Sequence, residues 1–269
     1  MKTKTITQIV TFIASPHEVY EVLMDPVKHS KVTGASAEIE RKPGGRFLQN
    51  GGGHWGTFVE VKQDERIVQS WHAKNWPEGL YSAATFTLAP LADGKRTELT
   101  LIHAGVPEDH FDEINKGWQK FYWTKMAAYF RDEKVAAVRR FVEKFTKMEN
   151  LDIVDELFTT DFVLHVPGAA LPPGPESWKM LGRAFFVAFS EVQVTVEDTI
   201  VEGDRVVERH RTRAVHTGEF NGVPATGRKV YLTENHIYRI KDGKIAEEWS
   251  EVSLHDLMAQ ITSKQAMAA

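Results

Sequence analysis

The sequence contains no cysteine. That removes disulfides, thiolate metal sites and a cysteine nucleophile together, and it fits a reducing compartment. Long apolar runs are missing too: no stretch approaches the roughly 18 residues of a membrane span. The N-terminal MKTKTITQIVTFIASP alternates Thr and Gln with Ile and Val, which is a strand pattern without the unbroken apolar core of a signal peptide. Nor is there an excess of positive charge. Lys and Arg number 33 against 37 Asp and Glu, a formal net charge of -4, so nothing draws the chain to phosphate backbones or anionic lipid. Neither nucleic acid nor a membrane is expected as a partner, and the expected location is cytoplasmic. GxSxG, a Walker loop and HExxH are absent, and the one GxGxxG spacing, GGGHWG at 51–56, lies between strands rather than between a strand and a helix.

What is present is an ordinary globular composition: 269 residues, 42% hydrophobic and 26% charged. At roughly 100 to 200 residues per domain, two domains are expected. After the first strand, Ser15-Pro16-His17-Glu18 forms a capping box with Pro at the first helical position. Runs rich in Val, Ile, Thr and aromatics follow at 55–62, 67–72, 81–88 and 97–103, separated by turns that carry Gly, Pro or Asp. NGGG at 50–53 reads as a hairpin turn rather than a phosphate cradle. Phe111, Ile114, Trp118, Phe121, Tyr122, Met126 and Tyr129 then recur at helical spacing. Their helix laid across a hairpin-connected sheet makes an α+β grip, with the space between helix and sheet available for binding. Trp71, Trp76, Tyr81, Trp118, Phe121 and Trp123 supply aromatic core, some of it facing that space.

The pattern restarts after Phe130, so the expected domains are 1–131 and 132–269. The second has helical stretches first, then strands at 192–201, 205–216, 229–240 and 244–252, with Ser253 and Asp256 capping a last helix.

Residues 8–130, through SPHEVYEVLMDP, KPGGRF, GTFVEV, ERIVQSW, TELTLIHAGVPE and GWQKFYW, resemble the C-terminal domain of the activator of Hsp90 ATPase, within the wider helix-grip (START-like, SRPBCC) group. Residues 134–262, through HTGEFNGVPATGR and HIYRIKDGKIAEEWSEV, resemble the SnoaL-like polyketide cyclases, whose fold is a cone-shaped α+β barrel of the NTF2-like kind. The fold class implied is therefore α+β throughout, helix-grip then NTF2-like. The second resemblance implies an ester or polyketide cyclase, a lyase or isomerase acting by aldol closure through an acidic side chain, with no metal or organic cofactor. His236 occupies the position where members with similar strands carry Asp. The first resemblance raises Hsp90 as a partner. It is not the expected one, because the separate domain that precedes this segment in the eukaryotic co-chaperone is not in the sequence.

The residues themselves point to a site in the second sheet. If the loop 217–228 is centred near 223 and the KDG turn near 242, antiparallel register sets His210 beside His236 and His236 beside Glu248. Period-two alternation turns Val206, Glu208, His210, Thr212, Ala214 and His216, with Leu232, Glu234, His236, Tyr238 and Ile240, to one face. Arg205, Arg209, Arg211, Arg213 and Arg239 occupy the other, and a stripe of arginines belongs in water. A His beside a Glu in an apolar cavity suits proton transfer. The expected catalytic residues are His236 as base, with Glu248 and His210; His165, His216, Glu234 and Tyr238 are expected to contact a small, largely apolar carbonyl ligand. Trp249 should face away. Zinc or iron on His210, His236 and Glu248 is conceivable chemistry, but no compact spacing supports it and no metal is expected. A homodimer through the outer sheet face of the second domain is expected from the resemblance. A protein-interaction module, or a passive carrier, is the competing reading.

Overall fold

The computed structural model describes residues 2–92, 94–147 and 151–263. It divides into two compact units, Met1–Asp132 and Glu133–Ala269.

In the first unit, β1 (Thr3–Phe12) leads into α1 (Pro16–Met24). The capping box forms as read: Ser15 Oγ accepts from Glu18 N–H, and Glu18 Oε2 accepts from Ser15 N–H at 2.7 Å. A second helix, α2 (Pro26–Thr33), was not expected; Asp25 caps it by accepting from the N–H groups of Val27 and Lys28. Then come β2 (Glu38–Ile39), β3 (Arg46–Gln49), β4 (His54–Lys62), β5 (Arg66–Ala73), β6 (Ser82–Pro90) and β7 (Thr97–Pro107). They form one antiparallel sheet in the order β1-β7-β6-β5-β4-β3-β2. NGGG is the turn between β3 and β4, with Gly51 and Gly52 at φ of 59° and 88°.

The long helix is not regular. α3 (Phe111–Gly117) passes through a π-helical stretch, Trp118–Trp123, into α4 (Thr124–Thr146). The wider π turn advances the buried stripe by one residue, so Ile114, Trp118, Tyr122, Trp123, Met126 and Phe130 are buried while Phe121 is 50% exposed. This corrects the strict helical spacing that put Phe121 on the inner face, while Tyr129 packs partly buried against the core as that spacing expected. Trp118 packs on Trp71, Phe86 and His103 of the sheet, and Phe12 meets Trp123 and Phe130, so helix and sheet share one aromatic core. This is the helix-grip arrangement.

In the second unit the later part of α4 buries Val135, Ala137, Val138 and Phe141. α5 (Ile153–Leu157), β8 (Phe158–His165) and α6 (Glu176–Ala188) follow, then β9 (Phe189–Glu202), β10 (Arg205–His216), β11 (Lys229–Lys241), β12 (Lys244–Val252) and α7 (Leu254–Thr262). The sheet order is β8-β12-β11-β10-β9, antiparallel except that β8 runs parallel to β12. Ser253 stands at the start of α7 but does not cap it; its Oγ accepts from Thr233 N–H of β11 instead. Helices against one face of this sheet give the α+β architecture of the NTF2-like kind. No described helix is long and apolar enough to cross a membrane.

Candidate functional site

Alternation along β10, β11 and β12 buries the face that carries Val206, Glu208, His210, Thr212, Ala214 and His216 with Leu232, His236, Tyr238, Glu248 and Ser250. The arginine face is outside, where Arg209 pairs with Glu197 and Asp198, Arg211 with Glu197 and Arg239 with Glu247.

The face agrees with the sequence reading, but the register does not. His210 stands opposite Glu234, His236 opposite Glu208 on one side and Ser250 on the other, and Glu248 opposite Tyr238. The β11–β12 turn is the two-residue pair Asp242-Gly243, both at positive φ, and a bulge between Arg239 and Ile240 adds a further offset beyond it. The β10–β11 loop is long enough for its midpoint not to define the pairing. Each hairpin is therefore displaced by two residues from the expected register, and a displacement of two keeps the face.

Diagonal neighbours on that face still meet. His236 Nδ1 lies 2.9 Å from Glu248 Oε1 and 3.1 Å from Ser250 Oγ, and His236 Nε2 lies 3.1 Å from Glu234 Oε2. Its ring stacks on Tyr238 at 5.8 Å and lies 4.8 Å from that of His210. His210 Nε2 bonds Glu208 Oε2 at 2.8 Å, Thr199 Oγ1 donates to Glu208 Oε1 at 3.4 Å, and Trp178 Nε1–H of α6 donates to Glu248 Oε2. His210, Glu234, His236, Tyr238 and Glu248 thus form one buried network.

Burial alone would lower the His236 pKa, but the carboxylates of Glu234 and Glu248 on its two nitrogens prevail and push it up to about 9. Burial raises Glu234, and the His236 bond outweighs it, so this carboxyl stays below its ordinary value. The Tyr238 hydroxyl is pushed well up by burial and by the surrounding carboxylates. The two carboxylates favour the protonated ring, whereas the sequence reading expected His236 to act as a base.

Two expected contacts lie elsewhere. His165 is on the outer face, bonded to Glu247 Oε1 at 2.9 Å and stacked on Trp249, because β8 pairs parallel with β12 and registers His165 against Trp249. His216 sits at the far end of β10, bonded to Thr226 Oγ1 and packed on Phe189. Trp249 faces outward, as read, under the guanidinium of Arg205.

The residue missed was Glu208. It belongs to the network through His210 and also lines a groove of about 440 Å³ with Arg139, Val142, Glu143, Val194, Val196 and Thr199. Its signal was its place in the alternating row. For a metal, His210, Glu234 and His236 offer ligand atoms that lie within 4.8 Å of one another.

The first unit has its own cavity, about 320 Å³ between sheet and π turn, lined by His54, Trp71, Trp118, Phe121, Tyr122 and Lys125 among others. Trp71 Nε1 and His54 Nδ1 have no hydrogen-bond partner there. Beside them His103 accepts from Trp118 Nε1–H at 3.1 Å and bonds Ser82 Oγ at 2.7 Å.

Residues 136–261 match the family model for SnoaL-like polyketide cyclase, and residues 13–131 match that for Activator of Hsp90 ATPase homolog 1-like protein. Activator of 90 kDa heat shock protein ATPase homolog 1 of Homo sapiens is 34% identical over 118 residues, 44% of this chain and 34% of that protein. The chain spans about a third of the length of the curated relatives it matches. Among solved structures, IdmH from Streptomyces antibioticus, presented as a candidate polyketide cyclase, is 32% identical over 47% of this chain and 96% of that one, at a TM-score of 0.43. PFC0360w, an HSP90 activator from Plasmodium falciparum, is 21% identical over 46% of this chain and 94% of that one, at 0.44. The chain thus joins a segment similar to the Hsp90 ATPase activators to a segment similar to the SnoaL-like polyketide cyclases.

Proposed function

We propose that the second unit transfers protons on a small, largely apolar carbonyl compound of polyketide type, as a cyclase or isomerase without an organic cofactor. The observation that carries this reading is the buried chain of acids and imidazoles that reaches an open groove at Glu208. An ionised carboxylate at the groove can accept the proton α to a substrate carbonyl, the C–H electron pair passing into an enolate. Enolate carbon attack on a second carbonyl of the same substrate forms the ring bond. The alkoxide then takes a proton back, so no oxidant or reductant is needed. His210 holds the Glu208 carboxylate, and His236 with Glu234, Glu248 and Tyr238 keeps charge and protons behind it. Similarity to the SnoaL-like family supports the reaction class.

The test is hydrogen–deuterium exchange at the α carbon of 1,3-dicarbonyl compounds, followed by NMR in heavy water. The expected result is exchange catalysed by the native protein and lowered by Glu208→Gln roughly a hundredfold to ten-thousandfold, the range for a general base. No catalysed exchange, or full exchange by Glu208→Gln, contradicts the reading.

A second reading concerns the first unit, whose similarity to the human activator supports an interaction with Hsp90. Stimulation of Hsp90 ATPase by the full chain tests it. We further take the protein to act in the cytoplasm and to pair through the outer face of the second sheet. Pairing is supported by the neutralisation of Arg209 and Arg211 by Glu197 and Asp198 within the chain, which removes the repulsion a bare arginine stripe would bring.

A further inference from the structure

We propose that His210, Glu234 and His236 form a binding site for a divalent transition-metal ion of the zinc class, buried inside the second sheet. The inference is independent of the proton-transfer reading, since it stands on three side chains and would hold in a protein without turnover.

Two imidazoles and one carboxylate are the donor set that zinc and ferrous ions take, whereas magnesium and calcium prefer oxygen alone. In a tetrahedral site with metal–ligand bonds of about 2.0 to 2.1 Å, neighbouring ligand atoms stand about 3.3 Å apart. Glu234 Oε2 and His236 Nε2 are already 3.1 Å apart, and the whole set lies within 4.8 Å. The His210 nitrogen therefore has to close by no more than about 1.5 Å, which rotation of the Glu234 side chain can share.

An independent feature supports the assignment. Histidines that bind metals almost always give their other ring nitrogen to a carboxylate or carbonyl, which orients the ring. Both rings here are held that way: Glu248 takes His236 Nδ1 and Glu208 takes His210 Nε2. That leaves Nε2 of His236 and Nδ1 of His210 for the ion. Three carboxylates, Glu208, Glu234 and Glu248, surround two imidazoles in a largely buried setting, and a divalent cation that displaces the proton between His236 Nε2 and Glu234 keeps positive charge among them. Glu208, which faces the groove, provides a route by which an ion enters. Sequence reading named His210, His236 and Glu248 as the conceivable ligands. The two-residue displacement of register puts Glu234 in the ligand position and moves Glu248 behind His236.

Full-length protein stripped with a chelator and titrated with zinc chloride by calorimetry tests the proposal, with cobalt(II) absorption as the readout of geometry. Expected are one ion per chain with a dissociation constant in the micromolar range or below, intense visible cobalt bands of a four- or five-coordinate site, and no binding of magnesium. Glu234→Gln and His210→Asn should each weaken zinc at least tenfold, and Glu248→Gln about ten- to a hundredfold through the outer contact. His165→Ala, on the outer face, should leave binding unchanged. Absence of one-to-one binding by the native protein overturns the inference, as does zinc affinity that survives both Glu234→Gln and His210→Asn or is lost in His165→Ala. If a ligand variant fails to fold, the native protein's cobalt spectrum and His165→Ala still decide between the buried cluster and the surface.

Discussion

His236 in the second unit and His29, His54 and His103 in the first respond to pH in opposite directions. Burial pushes His103 down to about 3, and His29 and His54 to about 4. Their folded-state pKa lies below the unfolded value near 6.5, so they are neutral when folded. Stability is whole above 6.5 and falls as the pH drops toward those values. At pH 5 each costs about 2 kcal/mol. His236 is the reverse: its folded pKa of about 9 exceeds the unfolded value, so its contribution is whole below 6.5 and is lost as pH rises through 9. The expected outcome is a first unit that melts earlier at pH 5 than at pH 7 and a second unit that weakens between pH 7 and 9, resolved by calorimetry. In chelator-stripped protein the ring nitrogen shifts of His236 should be those of a charged imidazole at pH 7.5. A neutral-ring spectrum there contradicts the double carboxylate contact.

The π turn makes a prediction at the level of the element. Because the stripe shifts by one residue, Phe121→Ala should cost less than about 1 kcal/mol, whereas Trp118→Ala should cost about 3 to 5 kcal/mol. Equal costs by chemical denaturation would restore the regular helix that alternation of apolar residues suggested. In the sheet, Gly56 of β4 stands opposite Trp71, and a Cβ there would lie 1.7 Å from Ser70 O. Gly56→Ala therefore forces the two strands apart, and a loss of more than about 3 kcal/mol is expected. The strands and their faces were legible because alternation is a local property. The π turn, the extra helix α2 and the parallel pairing of β8 with β12 were not. Each depends on a partner remote in sequence or on hydrogen bonds that side-chain hydrophobicity does not report.

For the whole molecule, the division after Asp132 falls inside α4, Thr124–Thr146, whose residues Met126 and Phe130 belong to one core and Val138 and Phe141 to the other. Fragments 1–131 and 132–269 should each melt cooperatively, because each retains its own sheet and core, yet at lower temperature than in the full chain, because the cut breaks a helix. Failure of both to show a transition contradicts independent folding. Sedimentation of the full chain at high concentration tests pairing: a species of 30.5 kDa alone counts against it.

Composition and periodicity by themselves determined that the chain is α+β, which strand face is buried, and that His210, Glu234, His236, Tyr238 and Glu248 share it. Their physical basis is that a strand alternates its side chains whatever it pairs with. His236 meets Glu248 and His210 as the sequence led one to expect, but tertiary structure alone decided which residues stand directly opposite one another. A register shift of two residues conserves the face and so leaves no trace in hydrophobic alternation, yet it exchanges every cross-strand neighbour. By that shift Ser250 came opposite His236 and Glu234 came opposite His210. The upward shift of the His236 pKa follows from the same packing, because two carboxylates at its nitrogens outweigh the burial that alone would lower it.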